Sequence, residues 1–127
     1  MDIIKNKIFI RLLFGCQLQL GAKLGKNVEL GNGGLGIVIH RHAILEDNVT
    51  IGPGVTIGGT NKKFGAAHIG KNSFIGTGAK ILGPVKIGKN CFVGANAVVT
   101  KDIPDNSLAV GIPARIVKTD INIDDYR

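Results

Sequence analysis

An aliphatic residue recurs at every sixth position through most of this chain, and this period limits the folds that the chain can adopt. Twelve aliphatic residues lead the successive six-residue frames: Leu24, Leu30, Ile39, Leu45, Ile51, Ile57, Ile69, Ile75, Ile81, Ile87, Val93 and Val99. Three extra residues interrupt the frames before Ile39, and the segment KFGAAH interrupts them before Ile69. Because six is a multiple of two, the leading side chains point to one side of an extended chain.

The period predicts an all-β fold in which short strands wind into a parallel β-helix. Glycine often follows the leading residue, as in IGPGVT (51–56), and we expect it to permit a tight corner. The fifth residue of a frame is usually small or β-branched, which suits a narrow core. Three frames then form a triangular coil, and coils stack at about 4.8 Å. An α-helix would need a period near 3.6 residues and tolerates glycine badly.

The composition agrees with a narrow aliphatic core in one domain. Aromatic residues make up only 5% of the 127 residues, and there is no Trp. The net charge of +7 is carried by scattered Lys and Arg residues with no stacking aromatics between them, so we expect no nucleic-acid partner. The two cysteines, Cys16 and Cys91, form neither a disulfide framework nor a metal motif, which favours a cytoplasmic location.

The chain divides into three predicted segments. Residues 1–17 are apolar and basic, but charges interrupt the apolar run and no small-residue cleavage site follows. We expect them to cap one end of the core, with at most peripheral contact with a membrane. The β-helix is predicted at residues 18–118, with a loop at 58–68, and a C-terminal tail at 119–127.

Four segments resemble the hexapeptide-repeat acyltransferases, in the branch of the serine acetyltransferases. They are GGLGIVIH (33–40), VTIGPGVTIGG (49–59), HIGKNSFIGTGAKILGPVKIG (68–88) and VGANAVVTKDIPDNSLAVGIPARIV (93–117). The last is the most specific, because GxPAR after a DxP turn typically closes the helix in these enzymes. The resemblance covers about residues 18–118 and implies a single-stranded left-handed parallel β-helix.

The resemblance also implies an activity. Because the chain is similar to small O-acetyltransferases of bacterial surface polysaccharides, we expect acetyl transfer from acetyl-CoA to a sugar hydroxyl, without a metal. Family members act as homotrimers with sites between subunits. Serine is the alternative acceptor, although only about seventeen residues precede the repeat, where serine acetyltransferases usually have a helical domain.

Two further alternatives come from other classes of protein. A metal-dependent β-helix enzyme would resemble the hexapeptide-repeat carbonic anhydrases, but their pattern of metal-binding histidines is not found here. A non-catalytic β-helix would explain why the chain has Asn32 and Gly33 where several relatives carry a catalytic histidine.

Histidine is the residue type expected to take the proton of the acceptor hydroxyl, because its pKa lies near neutrality. The candidates are His40, His42 and His68. Ile57 follows Ile39 by one eighteen-residue coil, so His40 should lie at an outward corner beneath the root of the loop. His40 is therefore the first candidate for the general base. His68, at the end of the loop, is the second catalytic candidate, and His42 is expected on the surface.

Other residue types are given smaller roles. Cys91 is a fifth residue and should face the core, and no Ser lies in a nucleophile motif, so we expect direct transfer without an acyl-enzyme. Glu46 and Asp47 are the acids nearest to His40 in the sequence, but their spacing does not show whether either contacts His40, so they are assigned no role. Family habit suggests a backbone N–H near residues 76–79 for the oxyanion.

The resemblance also implies contacts with CoA. Its pantetheine arm usually runs between two helices and bonds to the backbone at small residues, for which the candidates are Gly78, Ala79, Ala95 and Ala97. Basic residues near the C-terminal end are candidates for the CoA phosphates: Lys101, Arg115 and Lys118.

Overall fold

The computed structural model describes residues 17–60 and 62–127, which form a stack of triangular coils built from short strands. The strands are β1 (Gln17–Leu18), β2 (Lys23–Leu24), β3 (Glu29–Leu30), β4 (Val38–Ile39), β5 (Ile44–Leu45), β6 (Thr50–Ile51), β7 (Thr56–Gly58), β8 (His68–Ile69), β9 (Phe74–Ile75), β10 (Lys80–Leu82), β11 (Lys86–Ile87), β12 (Phe92–Val93), β13 (Val98–Val99), β14 (Leu108–Val110) and β15 (Arg115–Lys118).

Two short 3-10 helices, Gly31–Gly34 and Ile123–Asp125, complete the described elements. No helix in these residues is long and apolar enough to cross a membrane. The N-terminal cap predicted at residues 1–17 lies, except for Gln17, outside the described residues.

From β1 to β13, every third strand lies on the same face of the coil, as the three-frame reading predicts, and β14 then joins the third face. The first face contains β1, β4, β7, β10 and β13, the second β2, β5, β8 and β11, and the third β3, β6, β9, β12 and β14. Neighbours on a face pair in parallel, and Ile39 lies opposite Ile57, eighteen residues on. The predicted parallel β-helix is confirmed. Antiparallel β15 pairs with β14 at the C-terminal end.

The interior contains the residues that the period selects. The ten leading residues from Ile39 to Val99 are each at most 1% exposed. Fifth residues are buried with them, including Ala43, Val55 and Cys91. The buried Ser73 is satisfied, because its hydroxyl donates to the Gly88 carbonyl at 2.7 Å and accepts from the Cys91 N–H at 3.0 Å. The core is thus narrow and aliphatic.

The glycines in second position have a different role from the one that the sequence suggests. A Cβ on Gly70 would lie 2.6 Å from the carbonyl carbon of Gly88 in the next coil, so only glycine fits. The left-handed backbone of the corners falls instead on the fourth residue of a frame, such as Asn72 (φ 65°) or Gly54 (φ 71°). Glycine in second position therefore sets the spacing between coils, and the fourth residue makes the turn.

We predict that Gly70→Ala destabilises the fold whereas Gly58→Ala does not. A Cβ on Gly70 meets backbone of the next coil, while a Cβ on Gly58 meets only side-chain atoms at 3.7 and 3.8 Å. The first substitution should lower the free energy of unfolding by about 1–3 kcal/mol, and the second should change it by less than about 0.5 kcal/mol. Urea unfolding at one fixed protein concentration measures both. Equal effects of the two substitutions would contradict this account of the coil spacing.

Candidate active site

One edge of the coil stack contains His40, the first candidate for the general base, together with His42 and Lys101. We call this edge the loop corner, because the chain passes there from the first face to the second. It consists of residues 40–43, 59–60 with 62–67, 83–85, and 100–102. The His40 N–H donates to the Ile57 carbonyl at 2.8 Å, and a Cβ on Gly59 would lie 3.4 Å from His40 Nε2. His40 thus lies at the root of the loop, as the register predicts.

The His40 ring is oriented by the backbone that follows it. Its Nδ1 accepts a hydrogen bond from the His42 N–H at 3.0 Å. The pKa of His40 lies below 6.5, first because the ring is partly buried and then because His42 and Arg41 place positive charge nearby. Near neutral pH the ring is therefore uncharged, with Nδ1 as its acceptor atom.

An aromatic row continues outward from His40 into the loop. The ring centroids of His40 and His42 are 5.3 Å apart, and those of His42 and Phe64 are 4.5 Å apart. Phe64 is 84% exposed, so the loop presents an apolar ring to solvent beside the two imidazoles. His42 is exposed, as predicted, and contacts Phe64.

The second histidine pairs with a carboxylate that sequence spacing did not assign. His68 Nε2 lies 2.6 Å from Glu46 Oε2, with the two side chains 41% and 29% exposed. The six-residue interruption lengthens this coil, so that Leu45 lies opposite Ile69, and this register brings Glu46 to His68. Asp47 instead accepts from the Lys26 N–H at 2.8 Å. The register of the longer coil was the feature of the sequence that could have paired Glu46 with His68.

Lys101 lies in two grooves of the described surface. The first groove, of about 520 Å³, follows the loop corner and is lined by Thr60, Lys63, Leu82, Gly83, Pro84, Val85, Thr100, Lys101 and Asp102. The second, of about 190 Å³, lies at the C-terminal end of the stack and contains both Lys101 and Arg115. Lys118 lies opposite Leu108, at the far end of β15. The structure therefore brings together two of the three predicted basic residues.

The small residues predicted to contact CoA lie on another edge, where the third face meets the first. Ala79 and Ala97 are 0% exposed, so their side chains face the core. Their N–H groups donate to the Gly76 and Gly94 carbonyls, and their own carbonyls accept from N–H groups of the preceding coil. Gly78 is half-buried and Ala95 is exposed. Contact between CoA and these residues stays a prediction. At Ala79 and Ala97, CoA could bind only to the second lone pair of the backbone carbonyl oxygen.

The backbone conformation of the turn at Gly31–Gly34, where several relatives carry a histidine, explains its sequence. Asn32 and Gly33 both have left-handed backbone, with φ of 49° and 69°. Glycine adopts this region without steric cost, whereas L side chains adopt it uncommonly, with Asn, Asp and His doing so more often than the others. The backbone of this turn thus favours the Asn32–Gly33 pair.

Comparison with known proteins places the repeat in a family. The model of the bacterial transferase hexapeptide (six repeats) matches residues 66–101. A serine acetyltransferase of Staphylococcus aureus (strain Mu50 / ATCC 700699) is 46% identical over 112 residues, which are 87% of this chain and 52% of that protein. One from Staphylococcus epidermidis (strain ATCC 12228 / FDA PCI 1200) is 45% identical over 110 residues, covering 85% and 51%. The resemblance to the hexapeptide-repeat transferases is thus confirmed, and the family model itself matches residues 66–101.

Solved structures agree with this resemblance. The serine acetyltransferase from Brucella abortus strain S19 in complex with coenzyme A is 37% identical with a TM-score of 0.82, covering 88% of this chain and 46% of that chain. The soybean serine acetyltransferase complexed with serine is 38% identical with a TM-score of 0.82, covering 90% and 47%. The fold is the left-handed parallel β-helix implied by the resemblance. This hexapeptide-repeat chain spans about half the length of the relatives that it matches.

Cys91 lies in the core of this hexapeptide-repeat protein, away from the loop corner. Its side chain is 0% exposed, and burial raises the pKa of the thiol. Its Sγ donates to the Pro104 carbonyl at 3.1 Å. Cys91 therefore packs as a small hydrophobic residue, as its fifth position predicts. In the described ranges, no three His, Cys, Asp or Glu residues are grouped so that they could hold a metal ion.

We predict that NMR titration places the pKa of His40 below 6.5 and that His42→Gln raises it. The substitution removes the positive charge of His42 and keeps the backbone N–H that binds His40 Nδ1. Because the folded chain lowers this pKa, the unfolded chain binds the proton more readily. The contribution of His40 to stability is therefore present near neutral pH and is lost as the pH falls. Lys89→Gln, on another corner, is the control and should leave the His40 pKa unchanged. A His40 pKa above 6.5 would contradict the geometry.

Proposed function

We propose that this chain catalyses acetyl transfer from acetyl-CoA to a hydroxyl group, with L-serine as the acceptor. The observation that carries the proposal is the 46% identity with a serine acetyltransferase over 112 residues, 87% of this chain. The loop corner supports it, because His40 and a groove with basic residues lie along this edge, and His68 begins the strand to which the loop returns. Histidine supplies acid–base chemistry near neutral pH, and lysine binds phosphate.

The acceptor differs from the sugar that the sequence analysis put first. The relatives and solved structures described above are named serine acetyltransferases, so they favour the alternative acceptor and lend no support to polysaccharide acetylation. Serine is small, and its hydroxyl has the same chemistry as that of a sugar, so the transfer step is unchanged.

His68 is the better general base of the two predicted catalytic histidines. Glu46 Oε2 engages its Nε2 at 2.6 Å, so the neutral ring donates from Nε2 and keeps the lone pair on Nδ1. A carboxylate in this position orients an imidazole and stabilises the cation that forms when the ring takes a proton. The serine hydroxyl gives its proton to His68 Nδ1 as its oxygen attacks the acetyl carbonyl. His68 then returns the proton to the departing sulfur.

The groove at the loop corner is the site that we assign to CoA. Lys63 and Lys101 line its wall and supply positive charge for the phosphates. The Asp102 carboxylate in the same groove already accepts from the Lys86 N–H at 2.8 Å. The groove begins where the loop leaves the helix, so a pantetheine arm lying in it would point toward Gly59 and His40. The residues present therefore fit an anionic donor substrate.

A homotrimer with sites between subunits and a cytoplasmic location belong to the same proposal. Four apolar residues near the C-terminal end support self-association, being 36–74% exposed: Val110, Ile112, Ile116 and Val117. Exposed apolar patches of this kind mark interaction surfaces.

We predict that the purified chain releases CoA from acetyl-CoA in a reaction that depends on L-serine. Release of the free thiol can be followed with a thiol reagent, and mass spectrometry identifies O-acetylserine. D-Serine and a simple sugar are the matched acceptors, and both should react at least about ten times more slowly. D-Serine presents the same groups in mirror-image arrangement, and the sugar lacks the amino and carboxylate groups. Absence of acetyl transfer to any hydroxyl, together with absence of CoA binding by calorimetry, would contradict the proposal.

We also predict that His68→Gln lowers kcat/KM by about 10²–10⁴-fold, the usual contribution of a general base. Glutamine can still donate to Glu46, so the contact seen in the fold is kept while the basic nitrogen is lost. Glu46→Gln should lower kcat by a smaller factor, about 10-fold or more. Asp47→Asn is the matched control, because Asp47 contacts Lys26 and not His68. Full activity in both His68→Gln and Glu46→Gln would remove this pair from the mechanism.

A further inference from the structure

One hydrogen bond to the His40 ring determines which ring nitrogen can donate to a substrate. The Nδ1 atom accepts from the backbone N–H of His42, and a backbone N–H can only donate. The Nδ1 atom must therefore keep its lone pair. In the neutral ring the hydrogen then resides on Nε2, which makes Nε2 a donor and leaves it without a lone pair.

We propose that His40 is a catalytic hydrogen-bond donor, through Nε2–H, to the acyl oxygen of the thioester, and not the general base. This inference rests on the proposed function, because it assigns a role within the same acetyl transfer. It revises the sequence analysis, in which His40 was the first candidate for the base.

A base role would require changes that the surroundings of His40 oppose. To accept a proton at Nε2 the ring would have to move its hydrogen to Nδ1, and the two N–H groups would then face each other. Protonation of the ring is also unfavourable, since partial burial and the positive charges of His42 and Arg41 all lower the pKa of His40. The neutral ring with hydrogen on Nε2 is the form that both the backbone and the charges favour.

The space in front of Nε2 depends on the absence of a side chain. A Cβ on Gly59 would lie 3.4 Å from Nε2 and 3.6 Å from Cδ2, so glycine leaves this edge of the ring open. Within residues 17–60 and 62–127, no group accepts a hydrogen bond from Nε2. The Nε2–H is therefore available to an oxygen of the substrate.

The step balances with the base already assigned. The serine oxygen forms a bond to the acetyl carbon, the C–S bond of the thioester breaks, and the hydroxyl proton passes through His68 Nδ1 to the sulfur. The acyl oxygen gains negative charge on the way and returns to a carbonyl. His40 Nε2–H donates to that oxygen throughout and transfers no proton. Removing one such donor typically lowers kcat by about 10²–10³-fold.

The test uses the full chain with three variants of matched chemistry. His40→Gln keeps an N–H near the position of Nε2 but has no basic nitrogen, whereas His40→Ala has neither. Lys89→Gln, an exposed residue on another corner, is the control. The tautomer of His40 is read by nitrogen NMR on the ligand-free chain. Activity is read as kcat and as the pH profile of kcat/KM with acetyl-CoA and L-serine.

We expect the hydrogen on Nε2, a loss of about 10²-fold or more in kcat for His40→Ala, and at least a 10-fold recovery in His40→Gln. The acidic limb of the kcat/KM profile should be the same in wild type and His40→Gln, and Lys89→Gln should stay within about threefold of wild type. A hydrogen on Nδ1, or a glutamine variant as inactive as the alanine variant with the acidic limb lost, would overturn the donor role. Full activity of His40→Ala would do the same. An active wild type with any of these results refutes this inference alone, whereas a wild type that transfers no acetyl group refutes the proposed function with it.

Discussion

The close approach of successive coils is the constraint on which the rest of the structure depends. Each strand has two to four residues, so a strand is held by backbone hydrogen bonds to the coils on either side, such as Gly70 N–H to the Ile87 carbonyl at 2.8 Å. At this spacing a Cβ on Gly70 would overlap the next coil. An insertion cannot be absorbed between coils held this tightly, and it must leave the stack at a corner. The loop that leaves at Gly59 and returns at His68 is such an insertion. A histidine lies at each of its ends, with His40 beside Gly59 and His68 at the start of β8.

Most of the fold could be predicted because the six-residue period determines the length and register of the coils. Pairing of Ile39 with Ile57 follows from counting three frames, and burial of the leading residues follows from that pairing. The role of the second-position glycine could not be predicted in the same way. A sequence shows that glycine is there, but whether it serves a positive φ or the approach of a neighbour depends on the distance between coils. That distance appears only when the coils are stacked.

The candidate site was predictable where it follows from register and not where it depends on side-chain geometry. The place of His40 at the loop root needed only the eighteen-residue coil. The partner of His68 needed the longer coil, in which Leu45 lies opposite Ile69, and spacing to His40 alone could not assign Glu46. The orientation of the His40 ring depends on one hydrogen bond to the His42 backbone, which no pattern of residue types encodes. For the same reason, Ala79 and Ala97 appear in the sequence as small residues available to CoA, whereas the fold buries their side chains.

The central claim is that one edge of the stack, the loop corner, binds CoA and carries the chemistry. A crystal structure of this chain with bound CoA tests it most directly. We expect the sulfur beside Gly59, within reach of His40 Nε2, and the phosphates beside Lys63 or Lys101. CoA bound along the other edge, at Gly78 and Ala95, with its sulfur away from both His40 and His68, would contradict the claim.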